Sequence, residues 1–228
     1  MSEFVIAPPP QPCAPVAGGG LFPVRRIFCV GQNYADHARE MGGDPQRNPP
    51  FFFTKPADAL AVNGADAPYP SRTRNLHHEI ELVVALAKGA QNIAPAAAEK
   101  LIFGYAAGID LTRRDLQADA KKAGRPWDMA KGFDVSAPLG PIRPLDETGR
   151  ITKGFIRLSL NGAPRQNGDL ADMIWSVAEI LAILSTYVTL APGDLIFTGT
   201  PAGVGPALVG DLLHGEIEGV GEVATRIV

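Results

Sequence analysis

The apolar residues of this chain fall in short runs that end near glycine, proline or asparagine, which is the pattern of strands joined by tight turns. Strands are predicted at residues 25–31, 51–54, 80–86, 155–160 and 195–198, where β-branched and aromatic residues are concentrated. Side chains two residues apart on a strand share a face, so Ile80 and Leu82 are expected to enter the core. The dipeptide Asn161-Gly162 after the fourth strand is typical of a hairpin turn.

Four helices are predicted from the residues that begin and end them. They run from Asn33 as the cap to Glu40, followed by Gly42-Gly43; from Pro95 to Phe103, followed by Gly104; from Thr112, with Asp115 at capping-box spacing, to Gly124; and from Ser176, which forms a capping box with Glu179. Strands and helices do not alternate regularly. The predicted fold class is therefore α+β and rich in strands.

Composition indicates one elaborated domain. The chain has 228 residues, of which 46% are hydrophobic and 20% are charged, which excludes a disordered chain and allows a sizeable core. Residues 1–23 are interpreted as an extended, Pro/Gly-rich arm, so ordered chain is expected from Val24 and a single domain over 24–228. Cys13 and Cys29 are too few for a disulfide framework, and the apolar neighbours of Cys29 favour a reduced core thiol.

Charge and hydropathy argue against two classes of binding partner, nucleic acids and membranes. A formal net charge of −3 gives no basic excess for binding nucleic acid or an anionic membrane. No uninterrupted apolar stretch reaches the roughly 18 residues of a membrane span, and the first residues lack the segments of a signal peptide. We therefore expect a cytoplasmic protein that binds neither nucleic acid nor a membrane.

Three carboxylates are the main candidates for chemistry. Glu79 and Glu81 share a strand face, and two carboxylates about 4 Å apart repel by roughly 4 kcal/mol at an effective dielectric of 20. The residues alone leave a solvated strand face open. Asp110, in a predicted helix-to-helix connection, favours a cation instead, and three oxygen ligands suit Mg²⁺, with Mn²⁺ or Ca²⁺ as alternatives. Zinc at His77-His78 is not favoured, because adjacent strand residues face opposite ways.

Two further pairs lie three residues apart on predicted helices and therefore share a face. A carboxylate such as Glu40 beside His37 would fix the imidazole tautomer and stabilise the imidazolium, which predicts a water-activating pair. An exposed helix face carrying Arg39 and Glu40 is the alternative. Arg114 and Gln117, on the third predicted helix, either reach a substrate carboxylate or are solvated.

Six ordered segments resemble the fumarylacetoacetate hydrolase superfamily, from about Ile27 to the end of the chain. They are 29–37 (CVGQNYADH), 77–81 (HHEIE), 108–117 (GIDLTRRDLQ), 126–134 (PWDMAKGFD), 192–194 (PGD) and 198–205 (TGTPAGVG). The resemblance implies a mixed β-roll that is usually dimeric. It also implies a divalent cation held by Glu79, Glu81 and Asp110.

The same resemblance implies roles for other residues. His37 and Glu40 would lie on a closing lid helix and activate water. Lys131, which its neighbours alone indicate to be a surface lysine, would lie near the metal and bind a substrate oxygen or protonate a carbanion. Thr200 would line the pocket near an α-keto acid. A nucleotide site in its glycine-rich loop is not favoured, because no Gly-Lys-Ser/Thr ending is present.

Three functions are considered from these observations. The first is a homodimeric, metal-dependent hydrolase of the C–C bond of an acylpyruvate. Fumarylpyruvate, giving fumarate and pyruvate in aromatic-compound degradation, is favoured because the N-terminal arm resembles that of family members with this activity. Its second carboxylate needs a cation, with Arg39, Arg47 and Arg74 as candidates. The second function is oxaloacetate decarboxylation or isomerisation of an unsaturated keto acid, and the third is a non-catalytic, Ca²⁺-binding β-domain.

Overall fold

Short strands outnumber helices in the described chain, which comprises residues 4–42 and 48–228 of a computed structural model. The strands are β1 (Cys13–Pro15), β2 (Leu21–Pro23), β3 (Arg26–Gly31), β4 (Phe51–Lys55), β5 (Leu60–Ala61), β6 (Leu76–His78), β7 (Ile80–Leu86), β8 (Ile102–Ile109), β9 (Thr112–Arg113), β10 (Ala137–Pro138), β11 (Arg143–Pro144), β12 (Phe155–Leu160), β13 (Ala163–Asp169), β14 (Asp194–Phe197), β15 (Gly205–Pro206), β16 (Leu212–Ile217) and β17 (Gly221–Arg226). The α-helices are α1 (Ala35–Glu40), α2 (Arg114–Ala123), α3 (Asp128–Lys131), α4 (Leu145–Thr148) and α5 (Val177–Tyr187), and 3₁₀ turns lie at Ala57–Ala59, Pro95–Leu101 and Leu170–Asp172. The predicted α+β class is confirmed by these mixed sheets with few helices.

The central sheet has six strands in the order β11-β8-β7-β14-β3-β4. Strand β14 pairs parallel with β3, whereas β7 pairs antiparallel with both β8 and β14. Every residue of β7 is buried, because apolar clusters cover both faces of the sheet. Leu82 and Val84 pack in one cluster, and Val83 and Ala85 pack in the other. This alternation follows from the two-residue period of a strand.

A second sheet, in the order β13-β12-β16-β17, packs on the larger of these clusters. Its strands β12 and β16 contact β7 and β8, and the backbone at Gly215 approaches closely enough that a Cβ there would lie 2.3 Å from Ile80 Cδ1. The predicted hairpin turn after β12 is confirmed, since Asn161 and Gly162 have φ of 52° and 79°. That pair of positive φ values is the requirement that favours Asn-Gly.

Three helix predictions need correction. Helix α1 begins after Tyr34 without a side-chain cap, because Asn33 binds across the fold to the carbonyl oxygens of Trp175 and Thr198; Gly43 lies outside the described residues. The segment predicted as a helix to Phe103 is a 3₁₀ turn that becomes β8. Thr112 does not cap α2, since its hydroxyl donates to the Asp110 carbonyl.

Other helix signals act as predicted. Helix α2 ends at Gly124, which has φ of 61° and ψ of 34°, a conformation that glycine adopts without strain. Helix α5 begins with the full capping box of Ser176 and Glu179. Among the described helices, none has the length and hydropathy needed to cross a bilayer.

Ordered elements begin earlier than expected. The N-terminal segment was predicted to lack regular structure before Val24, but β1 and β2 form an antiparallel pair within it. Ala14 and Phe22 are buried in the smaller apolar cluster, and the Phe22 ring lies 5.2 Å from that of Phe103. Long-range packing therefore orders a segment that has no helical or strand periodicity of its own. Cys29 is buried and, like Cys13, forms no disulfide, as predicted.

Candidate active site

The three predicted carboxylates meet at one end of β7 and β8. Glu81 lies in β7 opposite Gly108 of β8, and the backbone N–H of Asp110 donates to the Glu79 carbonyl at 2.8 Å. Asp110 therefore follows a strand, and the predicted helix-to-helix connection is wrong. One oxygen from each of the three carboxylates lies within 4.8 Å of the others, and all three side chains are buried. The solvated strand face is thereby excluded.

Three buried cations balance these carboxylates. Lys131 Nζ donates at 2.7 Å to both Glu79 Oε2 and Asp110 Oδ2. Lys55 Nζ forms an ion pair with Asp110 Oδ1 at 2.8 Å, and an Arg114 N–H donates to Glu79 Oε1 at 2.5 Å. Lys131 is only 2% exposed, so the composition-based expectation of a surface lysine is wrong. Buried carboxylates require such partners, because desolvation without them costs several kcal/mol per charge.

The carboxylates are not electrostatically equivalent. Burial, reinforced by Asp110 and Glu79, raises the pKa of Glu81 well above its ordinary value. Burial has the same tendency at Glu79, but there Lys131 and Arg114 prevail and hold the pKa below its usual range. The positive charge of Lys131 and a 2.6 Å hydrogen bond from the Gly199 N–H oppose this shift at Glu81. Because a divalent cation would favour the ionised form of all three, this oxygen-only set fits a hard divalent metal.

The geometry of the Gly199 contact depends on the absence of a side chain. Gly199 has φ of 98°, and a Cβ on it would lie 2.7 Å from Asn33 Cβ. The side chain of Asn33, just before α1, donates a hydrogen bond to the carbonyl oxygen of Thr198, the residue after β14. The glycine-rich loop after β14 therefore positions both a triad carboxylate and the helix that carries His37.

His37 and Glu40 form the predicted pair on α1. Their Nδ1 and Oε2 atoms are 3.2 Å apart, and the carboxylate of Glu40 also accepts from the Gly203 N–H at 3.2 Å. Burial lowers the pKa of His37, although Glu79 and Glu40 oppose the shift. With Glu40 accepting from Nδ1–H, the neutral ring leaves Nε2 as the basic nitrogen. The alternative of a merely solvated face is excluded for His37, which is buried.

One cavity connects these groups. Its lining includes seven of the nine predicted site residues: His37, Glu79, Glu81, Arg114, Gln117, Lys131 and Thr200. The other two do not line the cavity but contact residues that do. Glu40 lies within hydrogen-bond distance of His37, and Asp110 accepts a hydrogen bond from Lys131. Arg114 donates to Gln117 Oε1 at 2.6 Å, so the predicted shared face of α2 exists and is buried. The catalytic and binding roles of these residues stay predictions.

In the described chain, His77 and His78, the two histidines that precede Glu79, form hydrogen bonds to residues around the triad and not to the triad itself. His78 is buried, and its Nδ1 lies 3.0 Å from Gln166 Oε1; Gln166 also donates to the Thr200 hydroxyl at 2.8 Å. His77 accepts from Arg114 Nε at 3.3 Å. Neither histidine belongs to a metal-competent cluster among the residues that the structure describes.

Several residues of this site were not predicted. Lys55 ends the apolar strand β4, and nothing in its local sequence distinguishes it from a surface lysine. Gln166 lies in β13, 88 residues from His78, so no spacing signal connects them. Lys121 follows Arg114 and Gln117 on α2 with helical spacing and lines the cavity, and that periodicity could have identified it.

Comparison with known proteins gives the family. The model of the fumarylacetoacetate hydrolase C-terminal family matches residues 26–228. The chain belongs to this family. A fumarylpyruvate hydrolase of a Ralstonia species is 44% identical over 177 residues, covering 78% of this chain and 92% of the relative. Oxaloacetate tautomerase YcgM of Escherichia coli K12 is 40% identical over 208 residues, covering 91% and 94%.

A solved structure is similar over nearly the whole chain. The fumarylpyruvate hydrolase of Pseudomonas aeruginosa, crystallised with Mn²⁺ and pyruvate, has a TM-score of 0.97 and 48% identity and covers 99% of both chains. The resemblance predicted from the six segments is confirmed, and so is an enzyme of the class that hydrolyses carbon–carbon bonds. The non-catalytic alternative is therefore set aside.

Proposed function

We propose that this chain is a divalent-metal-dependent hydrolase that cleaves fumarylpyruvate to fumarate and pyruvate. The observation that carries the proposal is a cavity lined by His37, Glu79 and Glu81, with Glu40 in contact with His37 and Asp110 beside the two glutamates. Such a cavity has a water-activating base and an anion-stabilising site within reach of one small molecule. The relatives named fumarylpyruvate hydrolase support the choice of substrate.

Glu79, Glu81 and Asp110 are the residues that would hold the metal, for which Mg²⁺ is our first choice. When bound there, a divalent cation would polarise a keto oxygen of the substrate and stabilise the negative charge that develops during C–C cleavage. With a divalent cation favouring the ionised form of all three carboxylates, the triad would carry three negative charges against three positive ones on Lys55, Lys131 and Arg114. A loaded site thus has an excess of positive charge, which suits a diacid.

The side chains of this protein supply the proton transfers. His37 Nε2 removes a proton from water as the water oxygen adds to the carbonyl carbon of the fumaryl group, which is the carbonyl distal to the keto acid, and Glu40 stabilises the resulting imidazolium. The bond from that carbonyl carbon to the neighbouring methylene then breaks, and the electron pair stays on the methylene carbon. Lys131 is placed to return a proton there. Asp110 and Glu79 raise the pKa of Lys131 against the effect of burial, so it stays protonated.

The proposal is tested by ranking kcat/KM for fumarylpyruvate, acetylpyruvate and oxaloacetate with Mg²⁺ present. We expect fumarylpyruvate to rank first and His37→Ala to lose at least about 10²-fold in kcat while it retains Mg²⁺ affinity. Asp36→Ala, on the exposed side of the same helix, is the matched control and should behave as the unchanged protein. A His37→Ala variant with full turnover would refute the assignment of the base.

A second candidate is an oxaloacetate-converting activity at the same site. The 40% identity to an oxaloacetate tautomerase over 91% of this chain favours it. Tautomerisation moves a proton without adding water, so it would require an acid and a base but no hydrolysis. Formation of the enol without release of pyruvate, followed in the ultraviolet, would identify it. The homodimer and the cytoplasmic location stay predictions.

A further inference from the structure

One face of helix α2 runs from the triad to the outside of the cavity. Arg114, Gln117 and Lys121 are three and then four residues apart, so they lie on the same face. Arg114 contacts Glu79 and Gln117 contacts Arg114, and both are buried, whereas Lys121 is exposed. All three line the cavity. Lys121 therefore lies at its mouth, at the end remote from the carboxylates.

Lys121 differs from the other two Lys and Arg residues of the lining in its charge balance. Arg114 and Lys131 are both paired with triad carboxylates. Lys121 forms no ion pair with any residue in the ranges 4–42 and 48–228. The arginines predicted for a second substrate carboxylate do not fill this position: Arg39 is 60% exposed and pairs with Asp36, and neither it nor Arg74 lines the cavity. Arg47 lies outside the described residues.

The distance along the helix matches a long diacid. Lys121 lies seven positions after Arg114 on α2, which corresponds to about 10 Å along the helix axis. An extended seven-carbon diacid has a similar length, whereas a four-carbon acid such as oxaloacetate is too short to span it. Phe53 and Trp127, whose ring centroids are 5.8 Å apart, line the cavity as well and offer an apolar surface for the middle of such a chain.

We propose that Lys121 binds the distal carboxylate of the substrate and determines the preference for long keto diacids over short or singly charged keto acids. The proposal rests on the function proposed above, because it assumes that the keto-acid end lies at the triad. In the described part of the chain, no hydrogen bond or ion pair joins the Lys121 side chain to the triad or to the His37–Glu40 pair, so its proposed contribution is to substrate binding.

The test compares the binding of two ligands of equal length, 2-oxoheptanedioate and 2-oxoheptanoate, by titration calorimetry with Mg²⁺ present. These ligands differ only in the distal carboxylate, and neither is cleaved by 1,3-diketo hydrolysis. We expect the diacid to bind more tightly by about fivefold, equivalent to about 1 kcal/mol for an exposed ion pair. Lys121→Met should lose this preference, Lys121→Arg should retain it, and the neighbouring exposed Lys122→Met should match the unchanged protein.

The outcomes separate the two proposals. The role of Lys121 would be overturned if Lys121→Met kept the same preference for the diacid over the monoacid as the unchanged protein. It would also be overturned if Lys122→Met lost that preference to the same extent as Lys121→Met. Fumarylpyruvate turnover is measured in parallel: Lys121→Met should raise KM about fivefold with kcat within about twofold. A failure of the unchanged protein to cleave fumarylpyruvate would refute the proposed function, while the ligand preference would still decide the role of Lys121.

Discussion

Replacing Lys131 by methionine removes one of the three positive charges that balance the buried carboxylates. Methionine retains most of the aliphatic length of lysine, so the main loss is the ammonium group that donates to Glu79 and Asp110. Both carboxylates are buried and lose one of their partners. After the change, Lys55 and Arg114 alone balance three carboxylates.

The expected cost follows from the burial of this ion pair. Removing one partner of a buried pair destabilises a protein by about 3–5 kcal/mol, because the other charge stays buried without compensation. We expect about 4 kcal/mol here without metal, which is a large part of a typical free energy of unfolding of about 5–15 kcal/mol. Mg²⁺ at the triad should recover part of the loss, because a more negative site binds a cation more tightly and each tenfold gain adds about 1.4 kcal/mol.

Urea unfolding of the unchanged protein and of Lys131→Met, in EDTA and in saturating Mg²⁺, measures these terms. The loss of unfolding free energy should fall from about 4 kcal/mol in EDTA to about 2 kcal/mol in Mg²⁺. Lys122→Met, on the exposed surface of α2, should change the free energy by less than about 0.5 kcal/mol in either condition. An equal loss with and without Mg²⁺ would contradict metal binding at the triad, and no loss in EDTA would contradict the pairing of Lys131.

Three other predictions follow from the site and the helix ends. Because burial lowers the pKa of His37 and a base acts unprotonated, kcat/KM should fall on acidification through a pKa below 6.5, and a pH–rate profile with its acid limb above pH 7 would contradict this. Asp110→Asn removes a triad charge and should reduce turnover by more than about 10²-fold and weaken Mg²⁺ binding in calorimetry, with an unchanged circular dichroism spectrum; full activity in EDTA would exclude the metal role. Ser176→Ala removes the α5 cap and should lower the free energy of unfolding by about 1 kcal/mol, whereas exposed Ser71→Ala should not, and equal effects would contradict the capping role.

The features predicted correctly from the sequence are those that neighbouring residues decide. The Asn161-Gly162 turn and the Ser176–Glu179 capping box each depend on contacts within a few residues. The shared face of Glu79 and Glu81 follows from the period of a strand. Asp110 was added because an acid in an apolar stretch of sequence needs a charged partner, and the resemblance to a known family supported that choice. The separation of 29 residues between Glu81 and Asp110 carries no local signal that they meet.

The tertiary structure decided the features in which a local preference competes with a distant partner. Asn33 has the side chain of a helix cap, but it binds Trp175 and Thr198 instead, because a buried amide gains more from two backbone partners than from one exposed turn. Gly104 was expected to end a helix, yet it lies in β8 where a Cβ would fall 2.2 Å from the Arg143 carbonyl oxygen.

The charges of the pocket were decided in the same way. Whether a lysine is a solvated surface group or a buried counter-ion depends on which carboxylates the fold brings to it. Lys55 and Lys131 became the latter because the pairing of β7 with β8 concentrates three acids in one place, where desolvation demands cations. Local sequence determines which side chains can share a face, whereas only the assembled sheet determines which charges must be balanced there.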